Sequence, residues 1–325
     1  MVVDDIFSIK TPQEFERLAL EIFKLQARHC HVYRDFINIL NIDPDTISNL
    51  EDVPYLPIEF FKSHKIVSSE ADPDLVFTSS GTTGILQSRH PVTDLSIYEK
   101  SYRLAFEQFY GDIRNYALLA LLPSYQEREG SSLIYMVDDL IRRSGHHQSG
   151  YFLYNHGDLA ETLIDLKKNN THTLLIGVTY ALLDFAESHT IEFPELIVME
   201  TGGMKGKRRE MIRLELHESL CQGFGIPAVH SEYGMTELLS QAYSKGGGIF
   251  HCPKWMKVLI RDTNDPLELL PEGQTGGINV IDLANINSCS FIATQDLGKL
   301  HSDGGFEVLG RFDNSDIRGC NLLVQ

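Results

Sequence analysis

Residues 78–84 of the chain read Thr-Ser-Ser-Gly-Thr-Thr-Gly, three hydroxyl residues followed by a glycine-bounded turn. The preceding Asp74-Leu75-Val76-Phe77 contains a short apolar run that is typical of a buried strand. Glycines permit positive φ, and successive backbone N–H groups together with hydroxyls can form a nest for an anion. A strand followed by such a loop predicts a site that binds the phosphates of a nucleotide. Alone, the loop also fits a plain surface turn, so the rest of the chain must decide between the two.

The loop is neither of the two commonest nucleotide motifs. It lacks the Gly-Lys-Ser/Thr ending of a Walker P-loop, and it lacks the G-x-G-x-x-G of a dinucleotide site. If the loop binds phosphate, it therefore belongs to another class of nucleotide-binding motif.

Length and composition exclude several classes of function. The chain has 325 residues, enough for one large domain or two modest ones, and its 42% hydrophobic and 22% charged residues are ordinary for a globular protein. A net charge of −17 argues against a nucleic-acid-binding or anionic-membrane-binding surface. The five cysteines are scattered without a C-x-x-C pair, which indicates a reducing cytosol and excludes the common zinc spacings. With no signal-peptide pattern and no apolar stretch of spanning length, we expect a cytoplasmic protein without a membrane span.

The order of apolar runs predicts an α/β fold. Helices are predicted at 12–40, 93–110, 133–143, 159–168, from about 179 through Phe185, and at 207–221. Strands are predicted at 116–122, 173–178 and 196–200, with a loop-rich stretch at 42–70. This alternation predicts a mainly parallel sheet covered by helices through about residue 240. After Gly246, short runs at 257–261, 277–282, 290–293 and 306–309 predict antiparallel β structure.

Further motifs follow in a recognisable order. They are Thr-Gly-Gly-Met-Lys-Gly at 201–206, Tyr-Gly-Met-Thr-Glu at 233–237, Thr-Gln-Asp-Leu-Gly at 294–298 and Gly-Arg-Phe-Asp at 310–313. With the loop at 78–84, this order resembles the adenylate-forming superfamily of acyl-CoA synthetases, firefly luciferase and nonribosomal peptide adenylation domains. Leu-Pro-Ser-Tyr-Gln-Glu-Arg-Glu-Gly-Ser-Ser at 122–132, Glu-Thr-Gly-Gly-Met-Lys-Gly at 200–206 and Arg-Gly-Cys at 318–320 most resemble the LuxE acyl-protein synthetases. The resemblance covers roughly residues 50–325.

The resemblance implies that a carboxylic acid reacts with ATP in the presence of Mg²⁺ to give an acyl adenylate. It implies a phosphate-binding role for the loop residues Thr78, Ser79, Ser80, Gly81, Thr82, Thr83 and Gly84. It further implies Glu237 as the Mg²⁺ ligand, Thr236 on the α-phosphate, Tyr233 with Gly234 against adenine, Gly202 and Gly203 along the base edge, Asp296 on the ribose hydroxyls, and Arg311 on ribose or phosphate. Four anionic groups meet in this reaction, so positioning and charge neutralisation carry most of the catalysis.

Each of these residues also has a simpler interpretation. Glu237 alone would most often be a solvated carboxylate, Asp296 could cap a turn, and Arg311 with Asp313 could form a surface ion pair. Their occurrence together in the family's order favours the site. His146-His147, His230 and His251 show no metal-like spacing and are interpreted as ordinary surface or core residues, although His230 could line the acyl pocket.

The sequence departs from the superfamily pattern in two places. Many members have a lysine at the end of the phosphate loop, where this chain has Gln87, with Arg89 beyond it as a possible substitute. The chain ends soon after Gly310-Arg311, so we expect it to lack the mobile domain that supplies a catalytic lysine, as LuxE-type proteins do. Lys205 and Lys207 are the nearest motif candidates to replace that lysine.

Cys320 is the predicted acyl acceptor. It follows Asp316-Ile317-Arg318-Gly319 near the end of the chain, and LuxE-type proteins acylate a cysteine near this end. A neighbouring Arg318 would favour the thiolate, which is the nucleophilic form. The alternative is a buried or inert thiol.

These observations predict an α/β protein with helix-covered sheets and a β-rich C-terminal part. The predicted segments are a helical N-terminal segment (1–70), an adenylate-forming core (71–309) and a hinge-like segment with a short tail (310–325). The resemblance implies ATP-dependent activation of a carboxylic acid as an acyl adenylate, with transfer to Cys320 and delivery to a partner reductase; a fatty acid is the expected substrate, and an aromatic acid stays open. The alternatives are an acid–CoA ligase like phenylacetate–CoA ligase, and a degenerate nucleotide-binding or scaffold protein.

Overall fold

The computed structural model describes residues 2–79, 86–123, 130–202 and 211–311. The chain forms two compact units. Within the described residues, unit 1 comprises 2–79, 86–101, 236–240 and 251–311, and unit 2 comprises 102–123, 130–202, 211–235 and 241–250. The three segments predicted from the sequence, 1–70, 71–309 and 310–325, stay a prediction.

The described chain contains both helices and strands throughout. The helices are α1 (Val2–Ile6), α2 (Pro12–His29), α3 (His31–Ile39), α4 (Phe60–Ser63), α5 (Leu95–Tyr110), α6 (Ser132–Ser144), α7 (His156–Lys168), α8 (Thr179–Ser188) and α9 (Arg213–Phe224). Short 3-10 helices lie at Leu50–Asp52, Ile113–Asn115 and Leu283–Asn287. The strands are β1 (Leu56–Pro57), β2 (Leu75–Thr78), β3 (Arg89–Val92), β4 (Ala117–Leu121), β5 (Gly150–Tyr151), β6 (Thr173–Val178), β7 (Ile197–Thr201), β8 (His230–Tyr233), β9 (Ala242–Ser244), β10 (Ile249–Phe250), β11 (Met256–Arg261), β12 (Thr275–Asp282), β13 (Phe291–Leu300) and β14 (Phe306–Arg311). Within the described ranges, no helix has the length and apolar character needed to cross a bilayer.

Unit 2 is built on a sheet in the order β5-β4-β6-β7-β8-β9. The strands from β5 to β8 run parallel, and β9 closes the edge antiparallel to β8, which confirms the predicted parallel sheet. Every residue of β4 and β6 is buried, as their continuous apolar sequences require. The carboxyl ends of β6, β7 and β8 lie at one edge, where parallel sheets bind ligands.

Unit 1 contains the predicted antiparallel structure. Strands β14, β13, β12 and β11 pair antiparallel in that order, and β1 joins β13 in parallel. Strands β2 and β3 form a separate antiparallel hairpin, in which Thr78 lies opposite Arg89 and Phe77 lies opposite His90. This hairpin carries the hydroxyl-rich loop between its two strands.

The sequence predicts one helix over residues 12–40, but the structure has two, separated at Cys30. Helix α2 begins with a capping box between Thr11 and Glu14, as the sequence indicates, but it ends at His29. Cys30 is extended (φ −83°, ψ 100°) and fully buried, and α3 starts again immediately after it. The new direction lets α3 bury Tyr33 and Ile37, so tertiary packing overrides a helical pattern that no glycine or proline interrupts.

Two other predicted helices begin later than expected. Asp94 was expected in the first turn of α5, but it precedes the helix, where its Oδ1 accepts a hydrogen bond from Ser96 N–H at 3.0 Å. Helix α9 begins at Arg213, and Ile212 before it is extended (φ −67°, ψ 146°). Positions 207–210 of that prediction lie outside the described residues.

Candidate functional site

The stem of the hydroxyl-rich loop lies in unit 1. Ser79 follows β2, its N–H donates to Ser88 O at 3.0 Å, and its hydroxyl accepts from Ser88 N–H at 2.9 Å. These two bonds extend the β2–β3 hairpin beyond Thr78 and hold Ser88 beside the start of the loop. Ser80, Gly81, Thr82, Thr83 and Gly84 lie outside the described residues, so their phosphate-binding role stays a prediction.

Glu237 is a buried carboxylate of unit 1, with 6% of its surface exposed. Burial raises the pKa of Glu237, while a hydrogen bond from Ser88 and the positive charges of Arg311 and Lys62 act in the opposite direction. The sequence interpretation of Glu237 as a solvated carboxylate does not fit this burial. Ser88, the residue before β3, is therefore a neighbour of the side chain that is predicted to bind Mg²⁺.

The backbone of Thr236 and Glu237 is held by side chains from two other segments. His90 on β3 contacts Thr236 O through Nδ1 at 2.9 Å, and Asn285 Nδ2 donates to Glu237 O at 2.8 Å. A carbonyl oxygen only accepts, so Nδ1 of His90 carries a hydrogen. Burial lowers the pKa of His90 to about 4, so the ring is neutral and its Nε2 accepts from Ser288 Oγ at 3.0 Å. No sequence motif indicates a role for His90, Asn285 or Ser288.

Asp296 and Arg311 form an ion pair across two strands. They lie directly opposite each other on β13 and β14, and Arg311 Nε is 3.2 Å from Asp296 Oδ1. The Asp296 side chain is 9% exposed and the Arg311 side chain is 76% exposed, so the pair presents a guanidinium to solvent above a mostly buried carboxylate. The two residues predicted to contact ribose therefore occupy adjacent positions.

Three further predicted residues lie at the carboxyl ends of β7 and β8 in unit 2. Gly202 follows β7 with φ 72°, a conformation that favours glycine. Tyr233 ends β8, is 8% exposed, and packs its ring against Phe250 with centroids 5.9 Å apart. A Cβ on Gly234 would clash with Glu232 Oε1, so a larger residue there would require the Glu232 side chain to move. Burial leaves little of the Tyr233 ring face for adenine in this arrangement, and that contact stays a prediction.

A buried pair of carboxyl groups, Glu200 and Glu232, lies beneath this edge, and no sequence motif indicates it. Thr201 Oγ1 donates to Glu232 Oε2 at 2.5 Å, which ties the end of β7 to the end of β8. Burial raises the pKa of Glu232 to about 7; the Thr201 hydrogen bond opposes this shift and the charge of Glu200 adds to it. Burial disfavours the charge of Glu200 as well, but a hydrogen bond with His217 and the charge of Arg213 outweigh it and lower the pKa of Glu200. Glu200 is thus ionised near neutral pH, and Glu232 is half protonated.

Two predicted residues complete the list. Gly203 and Cys320 lie outside the described residues. Their roles, at the base edge and as the acyl acceptor, stay predictions.

The described residues fit a magnesium nucleotide. A buried carboxylate whose charge is disfavoured by burial gains from a nearby divalent cation, and Glu237 is such a group. Within the described ranges, no group of three or more acidic, histidine or cysteine side chains could hold a metal. Mg²⁺ is commonly held by one or two carboxylates together with phosphate oxygens and water.

Comparison with known sequences identifies relatives. A family model described as "Acyl-protein synthetase, LuxE" matches residues 10–105. A long-chain-fatty-acid–luciferin-component ligase of Vibrio harveyi is 22% identical over 361 aligned residues, which cover 99% of this chain and 92% of the relative. A ligase of the same name from Photorhabdus luminescens is 34% identical over 71 residues, which cover 22% of this chain and 60% of the relative.

Comparison with solved structures identifies the fold. ATP-bound MatB from Rhodopseudomonas palustris superposes with a TM-score of 0.56 at 20% identity over 75% of this chain, which spans 49% of the length of MatB. A 2-hydroxyisobutyryl-CoA ligase in the postadenylation state superposes with a TM-score of 0.65 at 12% identity, over 96% of this chain and 70% of the ligase. The resemblance predicted from the motifs is therefore confirmed: the chain has the α/β fold of adenylate-forming enzymes and is similar in sequence to the LuxE acyl-protein synthetases.

Proposed function

We propose that the protein activates a carboxylic acid with ATP as an acyl adenylate and transfers the acyl group to a thiol, Cys320. The proposal assigns Glu237 to Mg²⁺, Thr236 to the α-phosphate, and Asp296 with Arg311 to the ribose. The loop at 78–84 takes the β- and γ-phosphates, and Gly202, Gly203, Tyr233 and Gly234 take the adenine.

One observation carries the proposal. The Glu237 carboxylate is buried, and the Ser88 side chain, on the segment that closes the hydroxyl-rich loop, favours its charged form and so opposes the rise in its pKa. A phosphate in that loop and a cation on Glu237 would therefore be neighbours. Burial of the carboxylate is unfavourable without a counter-charge, so a cation would lower the free energy of the site.

The first step is a displacement at phosphorus. A carboxylate oxygen of the acid attacks the α-phosphorus of ATP, the bond from that phosphorus to the bridging oxygen breaks, and pyrophosphate leaves. Mg²⁺ supplies charge neutralisation on the phosphate oxygens. The side chains of this protein hold the reactants in line and offset the developing negative charge, with Thr236 and the loop hydroxyls as donors.

The second step moves the acyl group. The Cys320 thiolate attacks the carbonyl carbon of the acyl adenylate, a thioester forms, and AMP leaves with the electron pair of the broken C–O bond. Cys320 reacts as the thiolate, and the positive charge of the neighbouring Arg318 favours that form.

We further propose a long-chain fatty acid as the substrate and an acyl reductase as the next acceptor, in the cytoplasm. The name of the Vibrio harveyi relative supports the substrate class, because that protein is a long-chain-fatty-acid ligase and aligns with nearly the whole chain. An aromatic or short-chain acid is the competing substrate class in the test.

The test is acid-dependent exchange of radiolabelled pyrophosphate into ATP, measured over a panel of fatty and aromatic acids. We expect exchange with fatty acids in the wild type and none above background in Glu237→Gln, whose neutral amide does not replace a carboxylate on Mg²⁺. Glu51→Gln, an exposed glutamate of the same unit, is the matched control and should keep wild-type exchange. Undiminished exchange in Glu237→Gln refutes the assignment of this residue, and a product on coenzyme A in place of the protein favours an acid–CoA ligase.

A further inference from the structure

His90 lies at a junction of three segments in unit 1. It occupies β3 opposite Phe77 of β2, directly after the strand residue Arg89 that faces Thr78 at the start of the hydroxyl-rich loop. Its ring is 1% exposed and packs edge-on against Phe61, with centroids 5.4 Å apart and planes at 81°. A histidine at this depth must satisfy both ring nitrogens inside the protein.

Both nitrogens reach partners that are remote in sequence. Nδ1 contacts the carbonyl of Thr236, 146 residues away, and Nε2 contacts the hydroxyl of Ser288, 198 residues away. Ser288 N–H donates to Asn285 O at 2.9 Å, and Asn285 Nδ2 donates to Glu237 O at 2.8 Å. The contacts close a ring that we name the His90 circuit: His90, Thr236, Glu237, Asn285 and Ser288.

The circuit holds the backbone on which the proposed nucleotide contacts depend. The carbonyls of two consecutive residues, Thr236 and Glu237, are each fixed by a side chain from a different segment. Rotation of either peptide plane would break one of these bonds and leave a buried polar group unpaired. The orientation of the Glu237 side chain therefore depends on His90 through the backbone of Thr236.

We propose that His90 is a positioning residue that couples the phosphate-loop hairpin to the Thr236–Glu237 backbone through its Nδ1–H donor. The proposal rests on the proposed function for its effect on ATP, but its structural part does not. A neutral imidazole suits the position because it supplies one donor for the carbonyl and one acceptor for the hydroxyl. Neither lysine nor arginine offers an acceptor, and a leucine of similar volume would leave the Thr236 carbonyl without its donor.

Asparagine and glutamine separate this role from simple packing. The amide nitrogen of asparagine lies at the same distance from Cγ as Nδ1, so His90→Asn keeps the donor to Thr236. Glutamine places its amide nearer the position of Nε2, so His90→Gln keeps a polar contact with Ser288 and loses the Nδ1 donor. Phe61→Leu is the matched control, because it removes the ring against His90 and leaves both hydrogen bonds intact.

The first measurement is hydrogen–deuterium exchange of peptides that cover residues 236–240, which needs no activity. Leu239 N–H, which donates to Asp282 Oδ2 at 2.8 Å, reports the order of this segment. We expect exchange to be about ten- to a hundredfold faster in His90→Ala and His90→Gln, the range that an unpaired buried group produces. We expect His90→Asn and Phe61→Leu to stay within about threefold of the wild type.

The second measurement is pyrophosphate exchange, with the KM for ATP·Mg and the KM for the acid determined separately. We expect His90→Gln to raise the KM for ATP·Mg or lower kcat by at least about tenfold. The KM for the acid should change less than about twofold, and His90→Asn should restore most of the loss. A purely structural role would affect both substrates and would be reproduced by Phe61→Leu.

The two measurements distinguish the possible failures. If the wild type exchanges no pyrophosphate with any acid, the proposed function fails, and deuterium exchange alone decides the role of His90. The inference is overturned if His90→Gln exchanges deuterium like the wild type, if Phe61→Leu has the same effect as His90→Gln, or if His90→Asn gives no rescue. The asparagine–glutamine comparison remains decisive where His90→Ala fails to fold.

Discussion

The Glu232 carboxyl group should make the stability of the protein fall as the pH rises through neutrality. Its pKa in the folded protein is about 7, against an ordinary value of 4.5. The folded state therefore binds the proton more tightly than the unfolded state. Its stabilising contribution is complete below pH 4.5 and is lost progressively as the pH rises to about 7. Glu232→Gln removes this titration while it keeps a side-chain oxygen to accept the hydrogen bond from Thr201.

The size of the effect follows from the pKa shift. A shift from 4.5 to about 7 at about 1.36 kcal/mol per unit amounts to roughly 3 kcal/mol. At pH 5 the protonated Glu232 resembles glutamine, so the wild type and Glu232→Gln should have similar free energies of unfolding. At pH 8 the ionised carboxylate lies buried near Glu200, so the variant should be more stable than the wild type by up to about 3 kcal/mol.

Urea unfolding followed by circular dichroism at pH 5, 6, 7 and 8 measures this difference. Other groups, such as Asp282 with a pKa raised by burial to about 6, titrate equally in both proteins and cancel in the comparison. Glu268→Gln, an exposed glutamate, is the control and should follow the wild type at every pH. Parallel stability curves for the wild type and Glu232→Gln would refute the assignment of a raised pKa to this carboxyl.

Two more outcomes are expected from the proposed site. Asp296→Ala should weaken ATP binding by about 1–3 kcal/mol in a calorimetric titration, because two ribose hydroxyls lose their acceptor; unchanged affinity would make Asp296 a residue of the β13–β14 ion pair only. Cys320→Ser should lose the hydroxylamine-labile acyl mass seen by intact-mass spectrometry and keep pyrophosphate exchange, because the adenylating residues are untouched. A labile acyl group on the serine variant would place the acceptor on another cysteine.

The fold was predictable where sequence patterns are local. The uninterrupted apolar residues of β4 and β6 identified buried parallel strands, and the change of texture after Gly246 identified the antiparallel sheet. The break at Cys30 was not predictable, because the helical pattern continues through it and only the packing of Tyr33 and Ile37 requires a new direction. Helix starts at Leu95 and Arg213 shifted for a similar reason, since capping and loop geometry determine them.

The site was predictable only where it coincides with motifs. Glu237, Asp296 and Arg311 were identified by resemblance, and the structure describes their burial and pairing while their chemical roles stay predictions. The residues next to His90 in the sequence do not indicate its role, because its partners Thr236 and Ser288 lie 146 and 198 residues away. The raised pKa of Glu232 was not predictable either, since it depends on burial beside Glu200 and not on the sequence neighbours of Glu232.

The buried amide of Gln26 has a consequence for synthesis of the chain. On α2, its Nε2 donates to Asn285 O, Ile286 O and Ser290 Oγ, and its Oε1 accepts from Ser290 N–H. Unit 1 is discontinuous, so a ribosome that has finished Ser101 must add about 150 more residues before it reaches His251. The partners of Gln26 lie about 260 residues after it in the chain, so at 5–20 residues per second its amide waits in water for roughly 13 to 52 s. We therefore expect the N-terminal helices to be the part of the nascent chain most in need of a holding chaperone.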